Sequence, residues 1–226
     1  MDTYKVEILK KQMERTMENL QKNNIEAFFV PDKKDVIPKL KELIVPGSTV
    51  TCGGSMSLYQ CGVIDFLRNG PYCFWDRDKE GLSQEDRETI FRQAFSADAY
   101  LCSSNAVTEN GELYNVDGNS NRTAAILYGP KSVIMVVGMN KIVRNLDEAV
   151  ARVKTVSAPA NALRLKCGTY CSEKGFCVSL QDKNANVELC SGCQTDARIC
   201  CNYVVSAHQR HKNRIKVILV GQELGY

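Results

Sequence analysis

Seven of the eleven cysteines, at positions 167, 171, 177, 190, 193, 200 and 201, fall within 35 residues toward the C-terminal side. Two thiolates separated by two residues, as Cys190 and Cys193 are, can converge on one metal from a single turn, and more distant pairs supply the remaining ligands. The pattern is Cys171-x5-Cys177, a 12-residue spacer, then Cys190-x2-Cys193-x6-Cys200-Cys201, with Cys167 just upstream. The two histidines, His208 and His211, lie outside it, so an all-thiolate site is expected, and zinc or an iron–sulfur cluster would satisfy it. In a reducing cytosol such clustering argues for metal or redox chemistry more than for disulfides. Cys52, Cys61, Cys73 and Cys102 sit in strand or helix patterns instead and read as small core residues.

Two polar stretches add possible ligand chemistry. Gly53-Gly54-Ser55 lies where a strand hands over to a helix, a place where free backbone amides can hold an anion. The second runs from Ser103 to Glu112 and from Asn115 to Arg122, with Asn105, Asn119 and Asn121 among its amides. It is expected at the end of a sheet, where ligands of α/β proteins sit. Arg122 could grip a carboxylate or phosphate bidentately, while Glu109 or Asp117 could act as acid or base. A pair of Asx turns satisfying its own backbone is the alternative. His208 to Lys216 holds six groups that can be positive but no interleaved aromatic, so it reads as a solvated hairpin loop.

Around these residues the apolar spacing sets out an alternation of helices and strands. Val6, Leu9, Met13, Met17 and Leu20 mark an amphipathic helix over 3–23. Strands are expected at 25–30, 48–52, 72–75, 99–102, 112–116 and 132–137. Helices are expected at 33–43, along Leu58, Cys61, Ile64 and Leu67, after a capping box at Ser83 to Asp86 with Ile90, Phe91, Ala94 and Phe95 inward, at 122–127 and at 146–153. After Ala158-Pro159 the periodicity fades, and 203–206 and 215–220 look like two closing strands joined by a polar loop. This pace predicts one α/β domain over 1–226, with a mostly parallel sheet flanked by helices and a cysteine-rich insertion near the C-terminus.

Length and composition bound the rest. With 226 residues, 44% of them hydrophobic, the chain can build a core, which excludes disorder and a disulfide miniprotein. Apolar runs reach about five residues where a membrane span needs roughly 20. The charged N-terminus lacks a secretory signal, so a cytoplasmic location is expected. A net charge of +3 is too balanced to make nucleic acid the default partner.

The segments CGGSMSL (52–58), ADAYLCSSNAVTENGELYNVDGNSNRTAAILYGPKSVIMVVGMNKIV (97–143), APANALRL (158–165), the cysteine segment and the terminal VILVGQELGY resemble the LUD domain, the lactate-utilisation family that includes LutC and YkgG. The resemblance covers roughly residues 5–226. It implies a fold like that of ribose-5-phosphate isomerases, CoA transferases and folate cyclo-ligases (the NagB/RpiA/CoA-transferase-like fold). It also implies a link to oxidation of L-lactate to pyruvate beside iron–sulfur partner subunits. Members with a cysteine tail resemble C-x5-C-x2-C-x6-C, which implies a [4Fe-4S] cluster on Cys171, Cys193 and Cys200. The insertion Val178 to Leu189 leaves either Cys177 or Cys190 for the second position, and Cys167 or Cys201 could substitute. In that picture a small carboxylate pairs with Arg122 and the Gly53 and Gly54 amides, beside Glu109 or Asp117 as proton acceptor. The alternatives are a nonredox isomerase, transferase or ligase with structural zinc, and an accessory subunit without catalysis. A homo-oligomer is compatible with each.

Overall fold

The computed structural model describes residues 3–181 and 188–226; residues 1 and 2 and the stretch 182–187 of the insertion lie outside the described residues. The chain opens with α1 (Thr3–Lys22) and β1 (Glu26–Val30), then α2 (Val36–Leu43), β2 (Thr49–Cys52), α3 (Met56–Gln60), α4 (Val63–Asn69) and β3 (Cys73–Trp75). Next come α5 (Gln84–Gln93), β4 (Ala99–Cys102), β5 (Ala106–Thr108), β6 (Leu113–Asp117), α6 (Asn121–Tyr128), β7 (Ser132–Gly138) and β8 (Ile142–Val143). The remainder holds α7 (Leu146–Arg152), a π-helical turn (Val153–Ser157), α8 (Ala158–Arg164), α9 (Tyr170–Lys174), β9 (Asn202–Ser206) and β10 (Ile215–Val220).

Six strands form an all-parallel sheet in the order β1-β10-β7-β4-β2-β3. A parallel sheet is covered on both faces, which is why β7 and β10 read as unbroken apolar runs. Their side chains nevertheless alternate: Val133, Met135 and Val137 join one core with Met13 and Leu20 of α1, while Ile134 and Val136 join another with Leu40, Leu58 and Leu67. The expected parallel architecture is therefore present.

A second sheet, β8-β5-β6-β9, was not anticipated. Its β6 pairs antiparallel with β5 and β9, and β5 pairs parallel with β8. Val107 and Leu113 face the core shared with α1, whereas Ala106, Tyr114 and Val116 face a third core with Val153 of the π turn. This corrects the closing hairpin: 203–206 and 215–220 fall in different sheets. The basic loop between them is mostly exposed, with Arg214 turned back onto the carbonyls of Ala125, Ile126 and Pro130 beyond α6.

Three further expectations give way. The helix along Leu58 to Leu67 is split into α3 and α4, because Gly62 adopts φ +68°, outside the helical region. The Ser83 capping box forms, but Phe95 is 43% exposed and α5 buries no residue fully. Helical structure continues through Pro159, which stands at the start of α8 directly after the π-helical turn.

Helix α1 is docked on the small sheet through the β5–β6 turn. Gly111 there has φ +83°, and a Cβ would lie 2.5 Å from the Asn19 backbone. Gly47 has a similar φ of +85° with nothing within 4 Å. In thermal or denaturant unfolding, Gly47→Ala should cost about 1 kcal/mol of backbone strain, while Gly111→Ala should cost distinctly more because α1 must move as well. Equal losses would show that α1 is not held at this turn.

Candidate functional site

The carboxyl ends of the parallel strands converge on one polar cleft of about 490 Å³. Gly54 and Ser55 follow β2, Arg77 follows β3, Ser103 to Asn105 follow β4, Lys141 follows β7 and Tyr226 lies beyond β10. Asp117, Gly118, Asn119, Asn121 and Arg122 close one side, and Asp196, Arg198 and Cys201 another. This is the position at which α/β sheets take ligands.

Arg122 lines the cleft but does not offer it free donors. Its Nη1 donates to the Ser103 carbonyl (3.2 Å) and Asn115 Oδ1 (2.6 Å), and its Nη2 to Asn105 Oδ1 (2.8 Å) and the Val116 carbonyl (2.8 Å). A guanidinium with both terminal nitrogens committed in this way cannot clamp a carboxylate, so the expected bidentate grip is corrected to a structural one. Gly53 is corrected likewise. Its N–H donates to the Leu101 carbonyl at 2.9 Å, and a Cβ there would lie 2.7 Å from Tyr100 Oη and 3.2 Å from Arg122 Cδ. Gly53 thus gives the Arg122 stem room to pass the backbone. The Ser55 hydroxyl is buried without a hydrogen-bond partner among the described residues and faces the cleft.

The two proposed proton acceptors part company. Glu109 stands outside the cleft, ion-paired to Arg15 at 2.8 Å and accepting from Gln12 at 3.0 Å, so it clamps α1 and is withdrawn as an acid–base candidate. Asp117 does line the cleft, with Oδ2 accepting from the Arg122 and Thr123 amides at 3.1 and 3.0 Å. Those bonds tie the Asp117 side chain to the first turn of α6.

The reading of the sequence missed Lys141. It is 3% exposed, and its Nζ donates to Ser57 Oγ (3.1 Å) and Ser103 Oγ (3.0 Å) with no carboxylate partner among the described residues. Burial, with Arg152 and Arg122 nearby, pushes its pKa down to about 7. Arg152 is buried against the Asn140 and Asn105 carbonyls and Ser157 Oγ, and burial lowers it to about 10. A lone lysine inside the apolar stretch VVGMNKIV was the available signal.

A second, mostly apolar cavity lies on the outer face of the small sheet. Cys171, Cys177, Cys193 and Cys200 line it together with Tyr114, Lys154, Tyr170 and Tyr203. Cys190 is exposed and Cys201 faces the cleft, so neither is among its walls; Cys167 is half-buried nearby in sequence. All the described cysteines are free thiols. Ser179 Oγ donates to Cys177 Sγ at 3.3 Å, and Thr169 Oγ1 lies 3.4 Å from Cys171 Sγ. Burial and the neighbouring Cys193, Cys200 and Cys177 raise the Cys171 pKa. Tyr114 is 1% exposed, and its hydroxyl has no partner among the described residues. Arg198 gathers the loop by donating to the carbonyls of Cys190, Cys193 and Cys200. Of the upstream cysteines, Cys52 and Cys102 are pushed up to about 12 by burial and Cys61 to about 11, as core thiols should be, but Cys73 on the edge strand is exposed.

The chemistry of this donor set can be tested against a metal. Among the described residues no three histidine, cysteine, aspartate or glutamate side chains are grouped so that they could hold a metal ion as they stand. Tetrahedral zinc needs four sulfurs about 2.3 Å from one point, hence roughly 4 Å apart. Cys171, Cys177, Cys193 and Cys200 share the lining of one small cavity with an unpaired hydroxyl and an ammonium, the kind of donor set that would hold a thiolate-ligated group.

Because Arg122 joins the ends of β4 and β6 to α6, its replacement should act on stability first. Arg122→Lys keeps the charge but loses most of four hydrogen bonds, at about 1.5–3 kcal/mol for each charged one left without replacement. Denaturant unfolding should therefore show a loss of several kcal/mol; a loss below about 1 kcal/mol would return Arg122 to ligand binding.

The model of the LUD domain matches residues 13–220. A crystal structure of a DUF162-family protein from Deinococcus radiodurans shares the fold, with a TM-score of 0.50 and 15% identity over 95% of this chain and 98% of that one. No curated protein matches the sequence. With the family model spanning most of the chain, from the middle of α1 to the end of β10, the protein belongs to the LUD-domain family.

Proposed function

We propose that this LUD-domain protein is an iron–sulfur redox protein or subunit acting on a small carboxylate such as L-lactate, with a [4Fe-4S] cluster held by Cys171, Cys177, Cys193 and Cys200. The observation that carries this reading is the meeting of these four thiols in one cavity, from a segment with little periodicity of its own. When bound, such a cluster supplies one-electron transfer. The Tyr114 hydroxyl would donate to sulfur and the Lys154 ammonium would balance thiolate charge; Lys154 is 3% exposed, and its partners among the described residues are Ser179 and Ser191 oxygens.

The cavity and the cleft are lined by neighbouring residues in two places. Cys200 lines the cavity and Cys201 the cleft; Lys154 lines the cavity and Ser157, on the same π turn, the cleft. Electrons leaving a bound carboxylate would thus have a short path to the thiols. The cleft's excess of Arg77, Arg122, Arg164 and Arg198 over Asp117 and Asp196 suits an anion.

Protein purified without oxygen should be brown, absorbing near about 400 nm, with iron and acid-labile sulfide in equal amounts. Serine replacements of Cys171, Cys177, Cys193 or Cys200 should bleach it, and Cys190→Ser and Cys201→Ser should not. A colourless protein with one zinc per chain would instead establish a structural metal and defeat the redox reading. In the brown protein, Tyr114→Phe should retain the colour but lower the reduction potential, since a hydrogen bond to sulfur stabilises the more negative reduced state.

A further inference from the structure

The acceptors around Lys141 are too few for an ammonium. A neutral amine has two N–H donors and an ammonium three. Nζ reaches two acceptors, Ser57 Oγ at 3.1 Å and Ser103 Oγ at 3.0 Å. Those hydroxyls turn their own protons away, to the Leu224 and Ser104 carbonyls, which leaves their lone pairs for the lysine. A third N–H would point to no acceptor among the described residues, from a side chain that is 3% exposed on the wall of the cleft.

The arginines facing it make the same case. Burial, Arg152 from α7 and Arg122 from α6 disfavour a charge on Lys141, against a smaller opposing effect of the buried Cys102 thiol at the end of β4. Asp117 lines the same cleft but is committed to two amides. The amine therefore gives up its proton above about pH 7 unless an acceptor of negative charge enters.

We propose that Lys141 is the counter-charge of a small carboxylate in the cleft, and that the carboxylate enters with one proton from solvent, which the buried amine takes up. One added donor in a cleft that is also lined by Ser55, with its unpaired hydroxyl, suits a carboxylate. A phosphate dianion asks for several free cations or an array of free amides, whereas Arg122, Arg164 and Arg198 are spent on carbonyl and amide oxygens, Arg77 on Asp78 and the Gly53 amide on the sheet. This assignment rests on the anion half of the reading above and is independent of the cluster.

The sign follows from linkage. With the free amine titrating near about 7, binding above that pH must include proton uptake, so the dissociation constant rises up to tenfold per pH unit, and below it the constant levels off. The test is calorimetric titration of pyruvate into the full chain from about pH 6 to about pH 9, in two buffers of different ionisation enthalpy. The expected results are this slope, buffer-dependent heats equal to one proton taken up per ligand at the alkaline end, and, for Lys141→Met, a dissociation constant raised at least tenfold at the acid end with the slope abolished. A merely structural lysine would weaken binding and leave the slope in place. Wild-type binding that ignores pH, or a Lys141→Met variant that keeps the slope, overturns the assignment while leaving the carboxylate reading intact. Inorganic phosphate binding more tightly than pyruvate overturns the carboxylate class. Failure of the wild-type chain to bind either pyruvate or L-lactate defeats the carboxylate reading and this assignment with it. The two-buffer measurement on the wild type decides the matter even if Lys141→Met does not fold.

Discussion

A guanidinium withdrawn from solvent must find an acceptor for nearly every N–H it carries, and the half-buried Arg122 meets that demand by drawing three chain segments to one point. Ser103 and Asn105 lie beyond β4, Asn115 and Val116 belong to β6, and Arg122 itself stands in the first turn of α6. Desolvating a guanidinium costs several kcal/mol, so the arrangement persists only with its acceptors in place. Strand carbonyls are mostly spent in the ladders, which is why two asparagine side chains supply oxygens here. Asn105 Oδ1 also accepts from the Val116 amide at 2.9 Å, so one oxygen ties the arginine and the small sheet together. Much of the polarity between 103 and 122 is consumed in building the cleft wall, and what remains for a ligand is correspondingly small.

The same construction sets the cysteine segment in place. The Asp117 carbonyl accepts from the Cys201 amide at 3.1 Å, and Gly118 lets Ile199 approach to 3.3 Å of where a Cβ would stand. Strand β9 then continues alongside β6 in register, Asn202 opposite Asp117. On the other side the Cys177 amide donates to the Lys154 carbonyl at 2.9 Å, on the π turn. A π turn inserts a residue into helical register, so that Lys154 and Ser157 face different cavities from one short segment. The cysteine-rich stretch lacks an apolar pattern because two preformed elements, β6 and the π turn, supply the core it leans on.

These physical origins explain what could be read from the residues alone. The large sheet was legible because both its faces are buried, leaving apolar runs whose ends Gly and Pro mark. The small sheet was not. Strands β5 and β8 have three and two residues, too short for any period, and β9 mixes exposed and half-buried positions. The cleft was foreseen as a place, since Gly54, Ser55, Asn105, Asp117, Asn119 and Asn121 do meet there. Their roles were less accessible: polar type does not distinguish a ligand donor from a group spent on the scaffold. Glu109 illustrates this, because its partners Gln12 and Arg15 lie more than 90 residues away. Spacing likewise could not choose between Cys177 and Cys190, since the outcome depends on which of them the π turn receives.

The two buried lysines show how one side chain can be given two characters by counting acceptors. Lys154 has three, Ser179 Oγ, the Ser191 carbonyl and Ser191 Oγ, matching the three N–H groups of an ammonium. Burial lowers its pKa, but the Cys177, Cys200 and Cys190 thiols oppose the shift, and more so once deprotonated. Lys141 has two acceptors, two arginines against it and no thiol ligand beside it but the buried Cys102, so its charge is left to depend on what enters the cleft. A fixed charge belongs where the anionic partner is part of the protein, as thiolates are. A conditional one belongs where the partner comes and goes. On the proposed reading, placing one of each in the neighbouring cavity and cleft would let thiolate charge be balanced permanently while the cleft stays uncommitted until an anion arrives.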